Sequence, residues 1–192
     1  MGGCGMKSEI ECRALEVDVK DLLNKLKANN ARFVGDWLQV RNCYDFNPVR
    51  ENSWIRLRTN GKETTLTIKE VQGDKVGDTK ESEIVVSDFN ITDEILNKLG
   101  YYARSKQMNR RIRYILDGVE VDIDFWPQIP AFVEFEASSE NDIYSVCEKL
   151  GIEKSRLVAF GVEEVYNRYG LTIKNMPIME LEKNVQEQEF EC

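Results

Sequence analysis

Apolar and polar residues alternate with a period of about two along much of the chain, and in these stretches the polar partner is usually charged. In Glu9-x-Glu11-x-Arg13 the charges fall on one side of an extended segment, with Ile10, Cys12 and Ala14 on the other. The design returns as Arg56-x-Arg58 in "WIRLR", Lys69 in "TLTIKE" and Glu81-x-Glu83 in "KESEIVV". It returns again as Arg111-x-Arg113 in "RRIRY", Glu120-x-Asp122-x-Asp124 in "VEVDIDF" and Glu134-x-Glu136 in "FVEFE". These patterns predict strands over 7–17, 37–46, 54–58, 64–70, 80–86, 106–116, 119–125 and 131–137. Asn60-Gly61 and Asp117-Gly118 are hairpin signals between neighbouring strands.

Helical spacing replaces alternation in four places. Asp18 caps a run with Val19, Leu22, Leu23 and Leu26, and Thr92 caps one with Ile95, Leu96 and Leu99 that Gly100 closes. Residues 141–150 and 162–169 form two more, ended by Gly151 and Gly170. About eight strands with interspersed helices give an α+β fold with a mostly antiparallel sheet, suited to closure into a barrel. Residues 1–5 are a glycine-rich start before Met6, and 72–78 a polar loop. One domain spans 6–173, and 174–192 is an acidic tail expected to be a frayed helix or disordered.

An antiparallel sheet with one wet face also alternates, but it mixes signs within each strand. Here the signs sort by strand, with acids on the early and late strands and cations on "WIRLR" and "RRIRY". Like charges two apart repel, and such faces are better tolerated with a ligand or metal of opposite charge between them. Carboxylates suit Mg²⁺ or Mn²⁺, and arginines suit phosphate oxygens. A polyphosphate bridged to metal satisfies both, provided the charged faces look inward and helices cover the apolar outside.

Composition narrows the chemistry. The chain has 192 residues, is 42% hydrophobic and contains no histidine, which excludes Ser-His-Asp and Cys-His nucleophiles and histidine-ligated zinc. A net charge of −8 argues against a nucleic-acid partner. Five cysteines without C-x-x-C spacing read as reduced thiols, and no apolar run reaches membrane-span length, so a soluble cytoplasmic protein is expected.

The order of these segments carries a family resemblance. "EIECR" resembles the E-x-E-x-K signature of the CYTH superfamily, the triphosphate tunnel metalloenzymes, and the similarity runs through "WIRLR", "TLTIKE", "VEVDID" and "FVEFEASS" to "EEVYNRYG". The superfamily includes thiamine triphosphatases, inorganic triphosphatases and class IV adenylyl cyclases. The resemblance implies an eight-stranded antiparallel closed barrel that binds a triphosphate with Mg²⁺ or Mn²⁺. Glu9, Glu11, Asp122, Asp124, Glu134 and Glu136 match metal-binding acids, with Glu136 also a candidate for orienting the attacking water. Arg13, Arg56, Arg58, Lys69, Arg111 and Arg113 match substrate-binding cations. Arg13 stands where the signature has lysine, so it binds phosphate without giving up a proton. Lys154 or Arg156 substitutes for a late cation that "AFGVEEVY" lacks. The implied activity is a metal-dependent triphosphate hydrolase acting on tripolyphosphate, thiamine triphosphate or a nucleoside triphosphate. The alternatives are an adenylyl cyclase of the same fold and a non-catalytic polyphosphate- or nucleotide-binding module. The expected partner is a small-molecule triphosphate, with no nucleic acid or membrane and a monomeric or homodimeric chain.

Overall fold

The computed structural model describes residues 7–71, 79–173 and 176–190, so the glycine-rich start and the 72–78 loop lie outside the described residues. Its long strands are β1 (Lys7–Ala14), β2 (Arg32–Asp45), β3 (Ser53–Thr59), β4 (Thr64–Val71), β5 (Thr79–Val86), β6 (Ala103–Leu116), β7 (Val119–Phe125) and β8 (Phe132–Ala137). Two short strands, β9 (Leu157–Val158) and β10 (Ile178–Met179), pair with β1 and β6. The sheet therefore has ten strands among the described residues rather than the expected eight. Its order is β10-β6-β2-β3-β4-β5-β1-β8-β7, and β7 also pairs with β6. Every pairing is antiparallel except that of β10 with β6.

Tight turns fix the register. Asp117 and Gly118 both take positive φ, 51° and 83°, and set Leu116 opposite Val119. β2 begins five residues before the expected start at Trp37, through an irregular register between Phe33 and Gly35. The Trp37 ring folds back over Gly35, where a Cβ would lie 2.0 Å from it, so only glycine fits.

The apolar faces of the strands look outward under helices α1 (Val19–Ala28), α2 (Phe89–Lys98) and α3 (Glu140–Lys149). Leu22, Leu23 and Leu26 of α1 and Ile143, Val146 and Cys147 of α3 share a core with Cys12, Ile112, Ile123 and Phe135. Leu96 of α2 packs with Tyr44, Ile55 and Leu57. Asp88, one turn before the expected Thr92, caps α2 by accepting from Ile91 N at 2.8 Å, while the Thr92 hydroxyl donates to Asp88 O. Helix α4 (Val162–Arg168) buries Val165 and Tyr166 against Trp126 and Phe132 at one end of the sheet.

The tail departs from the expectation of fraying or disorder. Met179 and Leu181 are buried, Phe190 stacks on Phe125 at 5.3 Å, and α5 (Lys183–Gln186) lies between them in the chain. Arg110 donates to the carbonyls of Val185 at 2.8 Å and Gln188 at 2.6 Å, fixing a segment whose side chains bury little apolar area. Among the described residues, no helix is long and apolar enough to cross a membrane. Cys12, Cys43 and Cys147 are free and buried, and burial pushes the Cys12 and Cys147 thiols up to about 12.

Candidate functional site

Because the apolar residues of each strand face the helices, the alternate residues face one another across the sheet's interior. There they line a cavity of about 370 Å³. Glu11, Arg13, Arg56, Arg58, Lys69, Arg111, Arg113, Glu134 and Glu136 all contribute to its wall, joined by Arg41, Glu81, Glu83 and Glu120. The backbone of Glu9 lies in β1 opposite Thr79, and its side chain lies outside the described residues. Asp122 and Asp124 sit behind the wall, 2% and 0% exposed.

The acids divide into two groups. In the first, Arg111 donates to Asp122 at 2.6 Å, to Asp124 at 2.9 and 2.5 Å, and to Glu134 at 3.1 Å. Arg113 holds Asp122 through two bonds of 2.7 and 2.6 Å and pairs with Glu120 at 2.6 Å. Arg13 meets Glu134 at 2.5 Å and Glu11 at 3.1 Å, and donates to Phe160 O at 2.7 Å. Burial pushes the Glu134 carboxyl up, but Arg13 and Arg111 outweigh it and hold the group below the usual carboxylate range. Burial likewise works against Arg13, yet Glu134 and Glu11 hold its guanidinium above its ordinary value.

The second group is a row. Glu11 on β1, Glu136 on β8 and Glu120 on β7 are direct cross-strand partners. All three border the cavity. Like charges in register are unfavourable, and Arg13 offsets Glu11 while Arg113 offsets Glu120.

Across the cavity, cations dominate. Arg56 reaches Glu83 at 3.3 Å and Glu81 at 3.7 Å, Arg58 comes only within 3.9 Å of Glu83, and Lys69 pairs with Glu81. Burial, with Arg56 and Arg111 nearby, pushes the Arg58 guanidinium down to about 9, the mark of a cation short of counter-charge. The expected late cations do not join this set. Lys154 lies over the Tyr144 ring at 3.6 Å, and Arg156 donates to Leu15 O at 2.8 Å on the protein's outside.

Arg41 is a cavity residue that no charge pair in the sequence announces. It stands alone in "QVRNC" with no like charge two positions away, and its alternation with Gln39 and Cys43 is the available signal.

The domain model for CYTH matches residues 7–145, which is well over half of the chain. The chain belongs to the CYTH domain family. The solved structures that this CYTH protein resembles include a conserved hypothetical protein from Pyrococcus furiosus, 25% identical, with a TM-score of 0.67 over 78% of this chain and 94% of that one. A proposed adenylate cyclase from Vibrio parahaemolyticus is 12% identical, with a TM-score of 0.70 over 84% and 98%. A proposed adenylyl cyclase from Hippeastrum, described as having a dominant triphosphatase activity, is 16% identical, with a TM-score of 0.60 over 86% and 97%. These likenesses establish the fold. Comparison with curated proteins finds no match.

The fit of a divalent cation follows from the donor chemistry. Among the described residues, no three acids or cysteines converge closely enough to make a complete metal site. Asp122, Asp124 and Glu134 have their oxygens bonded to arginine, a poor fit for their expected role as metal ligands. The cavity-facing row of Glu11 and Glu136 offers hard oxygens of the kind Mg²⁺ and Mn²⁺ take, with room for oxygens from a substrate or water.

Proposed function

We propose that this CYTH protein is a metal-dependent hydrolase of triphosphate-containing substrates, among them inorganic tripolyphosphate, thiamine triphosphate and nucleoside triphosphates. One observation carries the reading: the undercompensated Arg58 guanidinium on β3 shares one cavity with a row of in-register carboxylates on β1 and β8. A phosphate chain alone satisfies the cations, and a divalent metal alone satisfies the acids. The two together satisfy both.

In this reading the eight long strands work as a tunnel, since their pairings run β6-β2-β3-β4-β5-β1-β8-β7 and return to β6. Arg56, Arg58 and Lys69 hold non-bridging phosphate oxygens. Glu11 and Glu136, with Glu9 two residues along the same strand, hold Mg²⁺ or Mn²⁺. Such a metal, when bound, neutralises developing charge on phosphate oxygens and lowers the pKa of a bound water. Glu136 orients the water for in-line attack on the terminal phosphorus, whose bond to the bridging oxygen breaks to release orthophosphate. Asp122, Asp124 and Glu134 do not touch substrate; they hold Arg111 and Arg13 rigid, so that the electrostatic field is set before substrate enters. Phosphoryl transfer asks for positioning and charge neutralisation, which a chain without histidine can provide.

The test is to offer the purified protein tripolyphosphate, thiamine triphosphate and ATP with Mg²⁺ or Mn²⁺, quantifying orthophosphate, pyrophosphate and cyclic AMP. Metal-dependent release of orthophosphate is expected. Cyclic AMP with pyrophosphate from ATP would assign the site to a cyclase instead, the substrate's own ribose hydroxyl replacing water. Tight metal-free binding of tripolyphosphate without turnover of any substrate would make it a binding module.

A further inference from the structure

Arg41 is a buried cation without a counter-charge among the described residues. It is 7% exposed on β2 and lines the cavity. Its Nη2 donates to Gln39 Oε1 at 2.9 Å and to Asn109 Oδ1, both neutral acceptors. One face of the guanidinium is covered by Trp126, with 4.6 Å from its carbon to the ring centroid. The buried Nε has no partner among the described residues. Arg13, Arg56 and Arg111 in the same cavity each reach a carboxylate, but Arg41 forms no salt bridge among the described residues.

The register makes the situation more acute. Arg41 on β2 and Arg58 on β3 are direct cross-strand partners whose side chains enter the same cavity. Like charges directly opposite each other destabilise a sheet, and a buried charge without a partner is costly. Burial first, then Arg58, Arg56 and Arg111, push the Arg41 guanidinium well below its ordinary range. The orientation is nevertheless fixed, since Asn109 is itself held by a 3.0 Å bond to Asp124. The fixed Arg41 fork and the Arg58 fork on the neighbouring strand together match the non-bridging oxygens of a single phosphoryl group.

We propose that Arg41 and Arg58 form a paired clamp for one phosphoryl group of the substrate, and that the unliganded protein holds Arg41 in a strained electrostatic state that only a polyphosphate anion relieves. This rests on the triphosphate reading above. Its signature is that stability and binding respond in opposite directions when the charge is removed, which a purely structural arginine would not show.

The experiment compares Arg41→Met, Arg41→Lys and, as control, Arg56→Ala in the full chain. It measures thermal midpoints without ligand and tripolyphosphate affinity by metal-free calorimetry. Arg41→Met is expected to keep or raise the unliganded midpoint while weakening tripolyphosphate by roughly ten- to a hundredfold. Arg41→Lys, which keeps the charge but not the fork, should fall between this variant and wild type in affinity. A lowered midpoint or failure to fold for Arg41→Met would overturn the clamp in favour of a structural role. So would affinity unchanged within about twofold in Arg41→Met while Arg56→Ala weakens binding, a result that leaves the triphosphate reading standing. If neither substitution changes affinity, or wild type binds tripolyphosphate neither without metal nor with Mg²⁺, the triphosphate reading itself falls, and the clamp with it.

Discussion

Arg13 on β1 and Glu134 on β8 are joined at 2.5 Å inside the sheet, with side chains 5% and 9% exposed. The same guanidinium also holds Glu11 and the carbonyl of Phe160, so it ties two strands to the segment that leads into α4. Arg13→Ala leaves a buried carboxylate with one fewer cation, and the expected loss is about 3–5 kcal/mol of unfolding free energy. Arg13→Lys restores a single pairing and should lose less, with substantial activity retained. Urea unfolding together with turnover checks both. A rate gain in the lysine variant with a new basic limb in its pH profile would show that this position shuttles a proton.

The same pair governs acid stability. Glu134 has a folded-state pKa below its unfolded value of about 4.3, so its contribution is fully present above that value and lost as pH falls through the folded one. Glu134→Gln should therefore be less stable than wild type near neutrality but lose stability less steeply between about pH 5 and pH 3. Parallel curves of thermal midpoint against pH for the two proteins would contradict the assignment.

How far the site could be read in advance depended on whether partners lay on the same strand. Arg56-x-Arg58 and Glu134-x-Glu136 announce an inward charged face because period-two spacing is local. That Asp122 and Asp124 serve Arg111 could not be read, since that choice depends on the β6–β7 register and the depth of the pair. Arg41 escaped for the opposite reason: it has neutral neighbours on its own strand, and its meaning comes from Arg58 across the ladder. Boundaries failed where tertiary contact overrode local preference. Both Asp88 and Thr92 are good caps, and packing of Phe89, the first residue of α2, against the cluster of Tyr44, Ile55 and Leu57 accompanies the earlier one. The stretch before Trp37 lacks alternation, and there the ladder is irregular between Phe33 and Gly35, with the Trp37 ring over Gly35.

The cation side gives a graded prediction. Arg56→Ala and Arg58→Ala should each weaken tripolyphosphate by about 1.5–3 kcal/mol, roughly ten- to a hundredfold. Arg50 is exposed and lies over the Phe46 ring at 4.7 Å, outside the cavity wall, so Arg50→Ala should change affinity little. Equal losses in all three variants would mean diffuse attraction by surface charge, which salt would abolish equally for each.

The carboxylate row makes the last prediction. Glu11 and Glu136 are opposed in register at the cavity wall, so an amide at either position relieves their repulsion while removing an oxygen charge that would hold metal. Glu11→Gln and Glu136→Gln should therefore need at least about tenfold more Mg²⁺ for half-maximal turnover, Glu11→Gln also losing its 3.1 Å pairing with Arg13. Asp124→Asn should behave differently, because Asp124 is 0% exposed and bonded to Arg111. Its loss should lower the midpoint and leave the Mg²⁺ requirement of the remaining activity nearly unchanged. Magnesium titrations of all three variants beside their melting curves separate the two classes of acid. A raised Mg²⁺ requirement in Asp124→Asn, with none in Glu11→Gln or Glu136→Gln, would move the metal from the row to the buried acids behind the wall.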